Sequence, residues 1–368
     1  MTKEINSLYI HIPFCEHLCD YCDFTKLQYF RIFAEPYINK LIDELNSYNI
    51  NKSLKTIYIG GGTPTALEDD LFEKLLVEVS KYTSNIEEYT VECNPESLSE
   101  TKLALMKKYG VNRLSIGVES TNDEILKSIN RPHTFKDVQL AVSKAKSFGF
   151  DNLNVDLILG LPNVTKSLLK KDLENILTLG VQHISCYSLT VHPNTVFGIN
   201  GIDEPVEDFA RDMYDMVNEI LESNGFEHYE ISNWSLIGKN SKHNLTYWKD
   251  EQYYGIGLGA SGYISDVRYT NTKSINAYLE GKTVAESEKV TVEDDKEYFI
   301  MLNLRTKYGI LFNEFESRFK DEFFDVYKTK LVELEKQGLI QIKEDSVTPT
   351  YEGMMVLDQI VLKILEEK

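Results

Sequence analysis

The sequence predicts an α/β protein. Strand–helix repeats build an open or partial barrel, or else a doubly wound sheet, and a small α+β domain follows. Three observations carry this expectation. Six short β-rich runs alternate with helical stretches between residue 7 and about 192. Cysteines, glycines, carboxylates and prolines gather just beyond the carboxyl ends of those runs. After residue 290 the alternation gives way to helices followed by a hairpin pattern.

The runs, in order, are Leu8–Ile12, Thr56–Ile59, Tyr89–Glu92, Arg113–Val118, Leu153–Ile158 and Ile184–Leu189. Several are nearly continuously apolar, as strands buried in parallel sheets tend to be. Between them lie amphipathic stretches such as Leu71, Leu75, Leu76 and Val79, or Val138, Ala141, Val142 and Ala145 closed by Gly149. Repeats of this length form right-handed βαβ units, and both candidate folds place their sites beyond the carboxyl ends of the strands. Those ends read Pro13-Phe14-Cys15, Gly60 to Pro64, Glu92 to Pro95, Glu119-Ser120, Asp156 to Pro162 and Thr190 to Pro193. One site converging there is the simple expectation.

A further helix near Pro205–Asn224 follows, with Phe209, Met213, Val217 and Ile220 on one face. The expected units are 1–230 for the barrel, 231–290 for a connecting region rich in Tyr, Asn, Ser and Gly, and 291–368 for the small domain. That domain's helices, then Gly338–Ile342, a polar turn and Val347–Thr350, resemble a winged helix. From Thr291 onward it holds 11 basic and 17 acidic side chains, which favours a structural or lid role over DNA binding.

Composition narrows the function further. The 368 residues carry 39 Lys and Arg against 58 Asp and Glu, a net charge of −19, which is a poor balance for nucleic acid or an anionic membrane surface. No apolar run is long enough to span a bilayer, and Met1–Asn6 lacks a signal peptide's apolar region, so the cytoplasm is the expected compartment. Five cysteines exclude a disulfide scaffold.

Three of the five stand as C-x3-C-x2-C in Cys15-Glu16-His17-Leu18-Cys19-Asp20-Tyr21-Cys22, directly after the first predicted strand. An iron–sulfur cluster is the favoured occupant, because three thiolates on a four-iron cluster leave one iron open for chemistry. Zinc with His17 or His11 as fourth ligand is the alternative. Inert burial fits poorly with the polar residues between the cysteines. Cys93 and Cys186 read as small core residues.

This triad after Leu8–Phe14 resembles the radical S-adenosylmethionine (SAM) superfamily, most of all its branch of anaerobic coproporphyrinogen III oxidases and haem chaperones. The resemblance runs along most of the chain. Gly60-Gly61-Gly62-Thr63-Pro64-Thr65 matches the branch's GGGTPT loop, and Val91–Glu96 is similar to its E-x-N-P segment. Arg113–Val118, Asn130-Arg131-Pro132-His133-Thr134 and Asn154–Pro162 follow in the expected order.

The resemblance implies a partial (β/α)6 barrel with a [4Fe-4S] cluster on Cys15, Cys19 and Cys22. It also implies a bound SAM whose reductive cleavage yields a 5′-deoxyadenosyl radical. SAM contacts are expected from Tyr9, Tyr21, Gly60, Gly61, Gly62, Thr63, Glu92, Arg131 and Asp156, with Glu119 a weaker candidate. Glycines allow close backbone approach, Glu92 suits ribose hydroxyls, Arg131 suits a carboxylate, and a carboxylate inside an apolar strand, as Asp156, needs partners. Taken singly, surface ion pairs and strand-end turns explain several of these residues equally well.

Details separate the two activities of the branch. Oxidases resemble C-x3-C-x2-C-x-C, but Phe24 occupies the fourth cysteine's place, and only 14 residues precede Cys15 where oxidases carry a longer extension. Glu119 stands where the family usually has Gln, and a carboxylate there disfavours a second SAM. His243-Asn244-Leu245-Thr246-Tyr247-Trp248 matches the HNxxYW motif associated with haem in the chaperone type, with His243 as the candidate iron ligand. Its bland reading is a loop packing aromatics against the barrel.

The expectation is therefore a haem chaperone without oxidase activity, which binds haem, the cluster and SAM. Acceptor haem proteins, membrane respiratory cytochromes among them, are the expected partners, and a homodimer is one expected arrangement. Coproporphyrinogen oxidation is the runner-up, and a zinc-stabilised binding module is the third reading.

Overall fold

The computed structural model describes residues 4–366. Its central sheet contains β1 (Ser7–Ile12), β2 (Thr56–Gly61), β3 (Glu88–Cys93), β4 (Arg113–Glu119), β5 (Leu153–Leu159) and β6 (His183–Ser188). These six lie side by side in chain order, each parallel to the next. A doubly wound sheet reverses its strand order at a switch point, and this sheet does not. Of the two expected folds, the winding is that of the partial barrel.

Both edges are extended by short strands that sequence reading did not find. Tyr254–Ile256 runs parallel to β1, while Asn233–Ser235 pairs antiparallel with β6 and with Glu227–Glu230. These additions cover edges that would otherwise present unpaired backbone groups. Among the described residues, no helix is long and apolar enough to cross a membrane.

The strands are less uniformly apolar than the sequence reading expects. Leu8, Ile10 and Ile12, Leu114, Ile116 and Val118, and Leu153, Val155 and Leu157 belong to the main apolar core. Helices such as Asp69–Val79 and Phe135–Ser147 contribute Leu75, Leu76, Val142 and Ala145 to the same core. The alternate positions are polar, and most are buried: Thr56, Thr90, Arg113, Ser115, Asn154, His183 and Ser185. Strand side chains alternate between faces, so one face of the sheet packs on helices and the other forms a polar interior. Cys93 and Cys186 sit in the apolar core, where burial raises both thiols well above their ordinary pKa.

The C-terminal domain has its own core, with Phe299, Ile300, Phe315, Phe323, Leu331 and Ile360 at its centre. Helices Val292–Asn303, Phe312–Phe319 and Phe323–Lys336 precede the hairpin Ile340–Ile342/Ser346–Pro349, and Leu357–Leu365 closes the chain. This is the helix-then-hairpin order expected from sequence. Arg318 ties the domain to the preceding region by pairing with Asp250 at 2.6 Å.

A candidate metal and cofactor site at the carboxyl ends of the strands

Beyond the carboxyl ends of β1 to β6 lies a cavity of about 380 Å³. Its lining includes Cys15, Cys19, Cys22, Tyr21, Gly61, Gly62, Thr63, Glu92, Glu119, Arg131 and Asp156. The structure thus brings eleven of the fourteen expected site residues to one space. Tyr9, Gly60 and His243 are not in that lining.

The cysteine loop is anchored at both ends. Phe14–Cys15 pairs with Leu27–Gln28, and Lys26 Nζ donates to the carbonyls of Cys19 (3.2 Å) and Cys22. Cys15 is buried and accepts from Thr63 Oγ1 at 3.6 Å. Burial pushes its thiol up to about 11, and burial raises that of Cys22 as well. Gly62 is required here, because a Cβ on it would meet the Cys15 sulfur at 2.9 Å and the Pro13 carbonyl carbon at 2.8 Å.

All five cysteines are free thiols. No three Cys, His, Asp or Glu side chains among the described residues gather into a single-ion site. His11, one proposed zinc ligand, has both nitrogens engaged, with Tyr9 Oη at 2.9 Å and the Thr25 carbonyl at 2.8 Å. Three thiols arrayed around a cavity fit a multi-iron cluster, which reaches its ligands across a wider span than one zinc ion does.

Arg131 and Glu119 form the charged wall. A register shift between Gly117 and Glu119 bends β4, and Glu119 takes a left-handed φ of 66°. This aims its carboxylate at Arg131 Nη2, 3.2 Å away. Arg131 also donates to the Gly117 carbonyl (2.6 Å), Asn94 Oδ1 (3.2 Å) and Cys19 Sγ (3.5 Å). The carboxylate that Arg131 meets is therefore the chain's own.

Two carboxylates stand on the inner strand faces. Glu92 accepts from Tyr58 Oη (2.7 Å) and the Gly61 amide (2.9 Å), and burial pushes its pKa up to about 7. Asp156 accepts from Asn154 Nδ2 (2.8 Å) and Ser115 Oγ (3.1 Å), and burial raises it too. Both are held by hydrogen bonds at the cavity wall, as a site for polar hydroxyls requires.

Three expected site residues stand outside this lining. Gly60 does not face the cavity: a Cβ there would meet the Glu92 carboxyl and the Tyr58 ring at 2.7 Å, so this glycine makes room for Glu92. Tyr9 lies deeper in the interior, stacked on Tyr58 at 6.1 Å and bonded to His11, which follows it on the same strand face. His243 lies at the opposite end of the barrel. It sits in helix Lys242–Trp248, capped by Ser241, and is fully buried. Its Nδ1 meets Thr56 Oγ1 at 2.9 Å, at the amino end of β2, and its Nε2 meets Tyr247 Oη at 2.8 Å.

Burial pushes the His243 pKa down to about 3. Neither nitrogen is open to haem iron in this arrangement. The motif plugs the barrel's amino end with a helix, closer to the bland reading than to a ligand loop. His243→Ala leaves the Thr56 and Tyr247 hydroxyls without these partners, so it should destabilise the protein by about 2–4 kcal/mol. Urea unfolding measures that loss.

Sequence reading missed Tyr58, Ser115, Tyr187 and His192, all in the cavity lining. The first three carried a usable signal in their period-2 positions on strands, and His192 in its place at a strand end.

Six parallel strands in order, with a three-cysteine loop after the first and a polar cavity at their carboxyl ends, define a radical SAM fold. The Radical SAM superfamily model matches residues 9–176, and the HemN C-terminal domain model matches residues 290–356. The chain is 40% identical to the Heme chaperone HemW of Lactococcus lactis, covering 99% of this chain and 98% of that protein. It is 38% identical to the Heme chaperone HemW of Bacillus subtilis, over 99% and 100% of the two chains. Coproporphyrinogen III oxidase (HemN) from Escherichia coli shares the fold, with a TM-score of 0.85 at 21% identity over 98% of this chain and 90% of that one. The chain belongs to the HemW family of radical SAM proteins. Membership implies a [4Fe-4S] cluster and SAM, and the donor set described above fits both.

Proposed function

We propose that this chain is a haem chaperone that carries a [4Fe-4S] cluster and SAM in the strand-end cavity and passes haem to acceptor haem proteins. The observation that carries the reading is the match to proteins named Heme chaperone HemW, which covers 99% of this chain. Cys15, Cys19 and Cys22 would hold the cluster, and bound there it supplies the electron that cleaves the SAM sulfonium. Gly61, Gly62 and Thr63 offer backbone at the cavity wall, Glu92 and Asp156 accept from hydroxyls, and Arg131 neutralises Glu119 while its guanidinium meets Cys19.

Oxidation of coproporphyrinogen III is the competing reading, favoured by the shared fold of HemN. Against it, Phe24 stands where the oxidases carry a further cysteine and borders the cavity, and Glu119 borders it as well, paired with Arg131. The test is an anaerobic assay of the reconstituted protein with SAM, a reductant and coproporphyrinogen III. No protoporphyrinogen should form, while SAM alone should change the EPR signal of the reduced cluster. Steady formation of protoporphyrinogen would replace this reading with the oxidase.

A further inference from the structure

Resting on the reading that SAM binds in the strand-end cavity, we propose that Glu119 is a competitor built into that site. It holds Arg131 in the free chain, and a ligand with a carboxylate end must displace it. Glu119 then sets how tightly such a ligand binds without touching it.

Three local features build the pair. Glu119 takes a left-handed φ of 66°, a backbone that residues with side chains adopt only at a cost. The register shift between Gly117 and Glu119 bends β4 at this point. Gly117 leaves the room, because a Cβ on it would meet Arg131 Nη2 at 2.6 Å and Glu119 Oε1 at 3.2 Å. A chance ion pair on the surface needs none of these. This one is enclosed, with its two side chains only 6% and 11% exposed.

The charges of the lining show what the pair withholds. Asp23, Glu92, Glu119 and Asp156 line the cavity against Lys26 and Arg131 as its Lys and Arg. Lys26 is engaged with the carbonyls of Cys19 and Cys22. Arg131 is thus the cation suited to an incoming carboxylate, and Glu119 already stands 3.2 Å from its Nη2. The Nε of Arg131 is buried without a hydrogen-bond partner, so the guanidinium keeps a donor in hand for an exchange of acceptors. Arg131 serves a ligand's carboxylate only in the fraction of molecules where Glu119 has let go, and apparent affinity falls by that fraction. A ligand without a carboxylate meets no such competition.

The experiment is a calorimetric titration of the cluster-loaded full chain with three probes. SAM and S-adenosylhomocysteine carry the amino-acid carboxylate, and 5′-methylthioadenosine lacks it. Glu119→Gln should bind the first two about tenfold more tightly than wild type and the third with unchanged affinity. Glu119→Gly should do the same, and glycine suits the left-handed backbone, so folding is safe in that variant. Equal iron content and circular dichroism would verify both. Unchanged affinity for SAM and S-adenosylhomocysteine in the two variants overturns the proposal. Weaker binding of either probe also overturns it, by making Glu119 a direct ligand contact. Equal tightening of 5′-methylthioadenosine overturns it too, because the gain would then owe nothing to the carboxylate. Wild-type protein that binds none of the three probes overturns the SAM reading itself, which separates the two failures.

Discussion

Replacing Cys15, Cys19 or Cys22 by Ala should remove most of the iron from anaerobically reconstituted protein, and each replacement alone should suffice. The three thiols are the cysteine donors on one anchored loop at one cavity, and two thiolates do not hold a four-iron cluster securely. Cys93→Ala and Cys186→Ala are the controls. Both belong to the apolar core; Cys93 also borders the cavity, and its Sγ donates to the Ser115 carbonyl at 3.4 Å. Both should keep iron near the wild-type level. Iron and sulfide analysis with a visible spectrum reads the result, and equal loss from Cys93→Ala and Cys19→Ala would show that the ligand set is misassigned.

Arg131→Met should destabilise the protein by about 3–5 kcal/mol, because it strands the Glu119 carboxylate in a buried wall without its cation. The two side chains are only 6% and 11% exposed, so solvent screens the pair weakly. Burial already raises the Glu119 pKa, and the Arg131 charge is the chief influence holding it down. Glu119→Gln should cost less, since Arg131 keeps its bonds to Gly117 and Asn94. The double variant should recover much of the loss, giving a coupling that urea unfolding of all four proteins measures. An Arg131→Met protein within about 1 kcal/mol of wild type would mean that the wall relaxes and lets water reach Glu119.

Much of this architecture is legible from sequence because strand ends concentrate unusual residues. Cys15, Gly61 to Thr63, Glu92 and Glu119 each follow or finish a β-rich run, Asp156 stands inside one, and the six-strand order turns those separate positions into one cavity. What is not legible depends on direction. Gly60 and Gly61 are adjacent in sequence, yet one makes room for Glu92 and the other lines the cavity. Tyr9 lies on the first strand but deeper than the lining, a distinction of one pleat repeat.

The polar interior was readable in the alternation of Leu153-Asn154-Val155-Asp156, but the apolar character of the runs obscured it. The edge strands Glu227–Glu230 and Asn233–Ser235 are too short for a period to show. His243 marks a different limit. A motif names residue types, and only the packing of helix Lys242–Trp248 beneath β2 shows that its imidazole is enclosed at the end away from the cysteines.

The most direct measurement is equilibrium haem binding by the cluster-loaded chain, with SAM present, beside a coproporphyrinogen assay on the same sample. The account predicts a saturable Soret shift at one haem per chain and no protoporphyrinogen. Turnover of coproporphyrinogen without any haem-dependent shift would contradict it.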